Sequence, residues 1–290
     1  MRFALFGNTH ETGKTAHAEQ LLRILAYYGD EVYASSDYYS FLCRLQDVNL
    51  QPAGVISDCA AQHIAFAISL GGDGTFLKAA HSIGNTGIPI IGINTGRLGF
   101  LADVSASEME QFFAQLHEGR YTLRERSLLQ LVLNGDTDNP HYALNEIAIS
   151  KHDSSSMIAV RTTVDGEHLA TYMGDGLLIA TPTGSTAYSL SAGGPIIYPQ
   201  ADVFLLTAVA PHSLNVRPIV IADDKTLHLT IESRNGSFLV AVDGISSSYP
   251  EHTTLTLCKA PYTTRVVKQE GSTFFHTLQK KMMWGTDPRE

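Results

Sequence analysis

Along the first hundred residues, apolar positions fall in short unbroken runs separated by stretches with helical spacing. RFALFG (residues 2–7) reads as a buried strand. Ala18, Leu21, Leu22, Leu25 and Tyr28 then recur on one face of a helix, and Gly29 supplies its stop. IAFAISLGG (64–72) and IPIIGIN (88–94) read as further buried strands, with TFLKAAHSIG between them as a helix closed by Gly84. Strands that are apolar throughout and alternate with helices predict a parallel sheet covered on both faces. Sheets of this kind take ligands at the carboxyl ends of their strands.

From about residue 120 the period shortens. LLQLVLNGD, ALNEIAISK, IAVRTTVDGEHLATYM, TLHLTIESRNGSFLVAVDG and TLTLCKA read as strands, several alternating with period two. Asn134-Gly135, Asp165-Gly166, Asn235-Gly236 and Asp243-Gly244 read as hairpin turns between them. The expected fold is therefore α/β, an N-terminal Rossmann-like parallel-sheet domain followed by a second, mainly β domain. The boundary is expected near Asp103, where SASEMEQFFAQLHEG forms a connecting helix. This gives residues 1–103 as the α/β domain, 104–264 as the β domain, and 265–290 as a C-terminal segment returning to the first.

Composition narrows the function classes. The 290 residues are 44% hydrophobic and 17% charged, which suits a soluble chain with a sizeable core. A net charge of −9 without a dense Lys/Arg stripe argues against nucleic acid and anionic membrane as partners. Cys43, Cys59 and Cys258 form no C-x-x-C pair and fit reduced thiols. No apolar stretch has membrane-spanning length and no signal-peptide layout opens the chain, so a cytoplasmic location is expected. The histidines are scattered without HExxH spacing, and no metal-ligating residues are assigned.

The eye goes first to FGNTHETGKT (6–15), which resembles a P-loop. Five residues separate Gly7 from Gly13-Lys14-Thr15, where that loop needs four to close its N–H groups around a phosphate. A strand-to-helix loop with a threonine near the helix start is the plainer reading. SLGGDGTFLKAAH is the better phosphate candidate. Gly71, Gly72 and Gly74 lie between a buried strand and a helix, where backbone N–H groups can approach phosphate oxygens beside the helix dipole. Asp73 fits poorly in a phosphate nest unless it addresses a hydroxyl or a metal riding on the phosphates; it also reads as a helix N-cap.

Two further stretches carry polar groups in the right setting. In GDGLLIATPTGSTAYSLSAGGPII, a strand ends in a Thr/Ser-rich turn, so the hydroxyls of Thr183, Ser185 and Thr186 can face one ligand. No G-x-S-x-G is present, which removes the serine-hydrolase reading, while a capped helix stays open. In LNEIAIS, Asn145 and Glu146 open an apolar strand; an amide beside a carboxylate suits adenine nitrogens and ribose hydroxyls, and a surface pair is the alternative.

Taken in order, GGDGTFLKA, NEIAIS and DGLLIATPTGSTAYSLSAGGPI resemble the NAD kinase family, with INTGRLGFL and FFHTLQKKMMWG extending the likeness from about residue 64 onward. The resemblance implies ATP-dependent phosphorylation of the adenosine ribose 2′-hydroxyl of NAD to NADP, with a divalent metal, Mg²⁺, on the ATP phosphates. It implies Asp73 as proton acceptor, and Gly72, Asp73, Gly74 and Lys78 lining the ligand site. Asn145, Glu146 and Asp175 would contact the dinucleotide, with Thr183 at the head of the Thr/Ser-rich turn. Thr186, Ala187, Tyr188, Ser189, Leu190 and Ser191 would form its adenosine-side wall, with Ala210 beside them. The family often forms dimers or tetramers, so a homo-oligomer is expected. Some relatives carry a basic residue where this chain has Met173, and glutamine where it has Ile245. No contact is carried over at those two positions, and the preference between NAD and NADH stays open. Two rival readings are a lipid kinase, which would want an apolar groove, and a non-catalytic dinucleotide sensor, for which Asp73 has no evident use.

Overall fold

A computed structural model describes residues 1–9, 15–44, 51–96, 98–152 and 156–285. Two compact units emerge, Met1–Glu125 with Thr264–Glu290, and Arg126–Thr263. The chain leaves the first unit within the strand Tyr121–Leu133 and re-enters it within Thr254–Gln269.

In the first unit, five parallel strands lie in the order Gly54–Val55, Glu31–Ala34, Arg2–Gly7, Phe66–Leu70, Ile90–Asn94. Val266 pairs with Ile90 beyond them, also parallel. Arg2–Gly7 and Phe66–Leu70 are buried almost throughout because helices cover both faces, as their unbroken apolar runs require. Thr15–Tyr27 buries Ala18, Leu21, Leu22, Ile24 and Leu25. Tyr28, expected on that face, lies past the helix end and instead stacks on His117 with ring centroids 4.0 Å apart. The strand order reverses between Arg2–Gly7 and Phe66–Leu70, so the loops after Gly7 and Leu70 flank the switch point where open α/β sheets bind ligands.

The first unit runs to Glu125 and not to the boundary expected at 103. Helix Met109–His117 is the cause. Its apolar stripe, Met109, Phe112, Phe113 and Leu116, is buried in the same core as Phe3, Leu5 and Val267, with Phe3 and Phe113 edge to face at 6.0 Å. A helix whose apolar face is spent on one core is part of that core. The helix Phe274–Met282 lies in the C-terminal portion of the same unit.

The second unit is built from antiparallel strands in two sheets. One runs Ile219–Ala222, Val203–Val209, Gly176–Ala180, Glu146–Lys151, Ser237–Val242, Ile245–Pro250. In the other, Glu167–Gly174, Ile158–Val164 and Leu227–Ser233 pair in turn, the last with the first residues of Thr254–Gln269. Leu227–Ser233 shows strict alternation of buried and exposed positions, and its inward residues share a core with Ile147, Leu177, Phe204 and Phe238 from the opposite sheet. Asp165-Gly166 and Asp243-Gly244 close two-residue hairpins, both residues at positive φ as a type I′ turn demands. The other two expected hairpins differ. After Asn134-Gly135 the chain continues to His141 before pairing back, and at Asn235-Gly236, where only the glycine has positive φ, it crosses from one sheet to the other. No helix among the described residues is long and apolar enough to cross a membrane.

Candidate active site

In the first unit the glycine-rich loop carries the strand Phe66–Leu70 into the helix Asp73–Ile83. Gly71 has φ +156°, and a Cβ there would lie 2.4 Å from Thr75 Oγ1, so no other residue fits. Its N–H donates to the Ile93 carbonyl at 2.9 Å and is therefore not available to a phosphate, contrary to the expectation that residues 71–74 act together. The N–H groups of Gly72, Asp73 and Gly74 open the helix and have no acceptor among the described residues, as the first turn of a helix leaves them. A Cβ on Gly72 or Gly74 would meet open space. Lys78 is exposed and shares the helix face of Gly74, four residues on.

Asp73 is not the helix cap. Gly72 holds that position without a side-chain bond, and the Asp73 carboxylate turns to a neighbouring loop. Its Oδ1 accepts from the N–H groups of Leu101 and Ala102, and Oδ2 from Phe100 N–H, all at 3.0 Å. Lys281 Nζ donates to Oδ2 at 3.4 Å. Gly99 makes room for this arrangement, since a Cβ on it would lie 2.1 Å from Oδ1. A carboxylate offers about four acceptor positions; loop N–H groups take three of them at 3.0 Å, and Lys281 faces Oδ2 at the longer distance of 3.4 Å. Among the described residues no three His, Cys, Asp or Glu side chains converge on a metal-sized site. With a lysine ammonium against Oδ2 and no such cluster around it, a metal held by the protein does not fit these residues.

In the second unit, three stretches distant in sequence converge. The Asp243 carboxylate accepts from Leu144, Asn145 and Glu146 N–H at 2.7, 2.8 and 3.1 Å. Thr181 N–H donates to the Asn145 carbonyl at 2.9 Å, and its hydroxyl to that of Leu144 at 2.5 Å. Gly184 approaches so closely that a Cβ would stand 2.0 Å from the Asn145 oxygen. Glu146 is buried with Oε2 lacking a hydrogen-bond partner, and burial, with the Asp243 charge behind it, pushes its carboxyl up to about 7.

The Thr/Ser-rich turn is less open than its composition suggests. The Ser185 hydroxyl, expected to face a ligand, is buried and donates to the Pro182 carbonyl at 2.7 Å while accepting from Ile197 N–H at 3.0 Å. Thr183 is buried, and its carbonyl accepts from the Thr186 hydroxyl at 3.2 Å. Ser189 is fully buried with its hydroxyl 2.9 Å from that of Thr207, so it backs the wall and does not face outward. Thr186, Ala187 and Leu190 are half-buried, and Tyr188 and Ser191 are exposed.

Asp175 and Ala210 stand apart from this cluster. They are adjacent to each other, with Asp175 N–H donating to the Val209 carbonyl at 3.0 Å, and Asp175 also pairs with Lys151 at 2.7 Å. In the strand Gly176–Ala180, however, Ala180 pairs with Glu146 while Gly176 pairs with Ser150. At about 3.3 Å per residue the two strand ends are ~13 Å apart. Lys14 and the rest of the P-loop-like stretch at residues 10–14 lie outside the described residues.

Sequence reasoning missed the partners of both carboxylates. Asp243 reads only as a turn residue, and Phe100 to Ala102 act through backbone N–H groups that carry no side-chain signal. Lys281 had one available clue. Phe274, Leu278 and Lys281 recur at i, i+4, i+7 and so share a helix face.

Known proteins match this chain over its whole length. The ATP-NAD kinase N-terminal domain matches residues 3–121, and the ATP-NAD kinase C-terminal domain matches residues 144–269. An NAD kinase from Bacteroides fragilis is 53% identical over 290 residues, covering 100% of both chains. One from Porphyromonas gingivalis is 43% identical over 99% of both. Among solved structures, an NAD kinase from Archaeoglobus fulgidus in complex with ATP superposes with a TM-score of 0.77 at 26% identity, covering 98% of this chain and 99% of that one. Yeast NADH kinase complexed with NADH has the same fold, with a TM-score of 0.87 at 23% identity over 99% of this chain and 89% of that one. Two domain matches that together span most of the chain, and relatives aligned end to end, place it in the NAD kinase family of phosphotransferases.

Proposed function

We propose that this chain performs the ATP-dependent phosphorylation of NAD on the adenosine ribose 2′-hydroxyl, with NADP as product, and that Asp73 aligns the attacking hydroxyl. The observation that carries the role of Asp73 is its placement. It opens a helix at the sheet's switch point, beside three N–H groups without acceptors among the described residues and two glycines facing open space. Phosphoryl transfer depends mainly on positioning and charge neutralisation, which oriented N–H groups and an immobilised carboxylate supply. Gly72, Asp73, Gly74 and Lys78 form the phosphate side of this proposal. Asn145 and Glu146, with the turn from Thr183 to Ser191, form its nucleoside side, where the unpartnered Glu146 Oε2 is a ready acceptor for a ribose hydroxyl. A divalent cation, Mg²⁺, enters the proposal as part of the ATP complex. A homo-oligomer, dimer or tetramer, belongs to the proposal as well, on the family resemblance alone. A cytoplasmic location completes it.

The test is incubation with NAD, ATP and Mg²⁺, followed by chromatography for NADP and ADP. Stoichiometric appearance of both is expected. ADP without NADP, or no reaction at all, would overturn the reading.

A further inference from the structure

The C-terminal helix Phe274–Met282 reaches the Asp73 carboxylate from far along the chain, 208 residues away. It is anchored for that purpose at its start. Thr273 caps it by accepting from His276 N–H at 3.2 Å, Ser272 donates to Asp103 at 3.2 Å, and Lys268 pairs with the same buried Asp103 at 2.8 Å. Phe274 meets Phe100 with ring centroids 6.1 Å apart, and Leu278 is buried. Two turns on from Phe274, Lys281 stands with Nζ 4.4 Å from the centroid of the Phe100 ring and 3.4 Å from Asp73 Oδ2. Phe100 is thus touched twice, its backbone N–H holding the same Oδ2 that Lys281 holds.

These contacts differ in strength. The three N–H bonds to Asp73, each 3.0 Å, come from the loop backbone, whereas the lysine contact, at 3.4 Å, is the longest of the four and involves two side chains that are each about one-third exposed. Among the described donors on Asp73, Lys281 is therefore the one whose replacement leaves the backbone bonds of the loop in place. It also brings a positive charge to that carboxylate.

We propose that Lys281 is a positioning residue for the transfer reaction, holding Oδ2 of Asp73 in the orientation from which it meets the acceptor hydroxyl. The proposal rests on the phosphotransferase reading given above. Lys281 acts through Asp73, so its contribution must vanish when the Asp73 carboxylate is gone.

The experiment is a double-mutant cycle on the full chain, reading NADP formation at varied NAD and ATP. Lys281→Met is expected to lower kcat about tenfold with both KM values within about twofold, and Lys281→Arg to recover most of the loss. In the Asp73→Asn background, Lys281→Met is expected to change kcat by less than about twofold. Lys280→Met, on the neighbouring and exposed lysine, serves as control and should match the unaltered protein. Thermal melts accompany each variant; a fall in kcat of Lys281→Met that Lys281→Arg does not relieve, or that comes with a lowered Tm in Lys281→Met itself, would overturn the proposal. So would an unchanged kcat in Lys281→Met, or an undiminished further loss in the Asp73→Asn background. If the unaltered protein forms no NADP, the functional reading itself fails and takes this one with it; an active protein with a silent Lys281→Met sinks this one alone.

Discussion

Asp243 holds the backbone of Glu146 at both its N–H and its carbonyl, while the two side chains oppose each other by their charges. The Asp243 carboxylate accepts from Glu146 N–H at 3.1 Å, and Asp243 N–H donates to the Glu146 carbonyl at 3.0 Å. The same clamp that fixes the strand start leaves a second carboxyl buried beside the first.

This arrangement predicts a pH dependence of stability. Glu146 has its folded pKa raised from 4.5 to about 7, by burial first and the Asp243 charge second. Between those values the folded chain keeps a proton that the unfolded chain has released, so this group's contribution falls as pH rises through that window and levels off above about 7. Glu146→Gln removes the titration. Urea unfolding at pH 5 and pH 8 should show the Gln variant gaining on the unaltered protein by on the order of 1–3 kcal/mol between the two. Parallel curves across that range would show that Glu146 is not desolvated as described.

Asp243→Ala removes the acceptor of three consecutive N–H groups. Hydrogen bonds to charged groups are individually worth about 1.5–3 kcal/mol and are not additive, so a loss of about 2–4 kcal/mol in urea unfolding is expected. A loss below about 0.5 kcal/mol would mean that water replaces the carboxylate without penalty.

Asp73→Asn keeps the size of the side chain, but its NH₂ must face at least one N–H that the carboxylate now accepts. Turnover should fall roughly 10²- to 10⁴-fold, and the midpoint of thermal unfolding should fall with it. Turnover near that of the unaltered protein would remove Asp73 from the mechanism.

Two glycines separate space for the fold from space for the ligand. Gly99→Ala would place a methyl 2.1 Å from Asp73 Oδ1, whereas Gly74→Ala meets nothing within 4 Å. The first should cost about 1–3 kcal/mol of stability by overpacking. The second should leave stability unchanged or raise it by up to about 1 kcal/mol, as alanine does in a helix, while KM for ATP rises severalfold. An unaltered KM in Gly74→Ala would place the phosphates elsewhere.

What the sequence determined by itself is what depends on neighbours along the chain. Unbroken apolar runs such as those around Phe66–Leu70 and Ile90–Asn94 specify buried parallel strands, because both faces are covered. Strict alternation in Leu227–Ser233 specifies a strand with one face inward. The glycine-rich loop, the Asn145-Glu146 pair and the Thr/Ser turn stood out for the same reason, since each is a short contiguous pattern. Tertiary structure alone decided which groups complete them. Asp73 finds its donors 27 to 29 residues away and its lysine 208 away, and Asp243 finds Asn145 across 98. It alone showed that Ser185 and Ser189 spend their hydroxyls inward and that Asp175 sits at the other end of a strand from Glu146. Periodicity encodes which face of an element is buried. The partner of a polar group depends on which distant backbone the packing brings to it, and no local pattern carries that information.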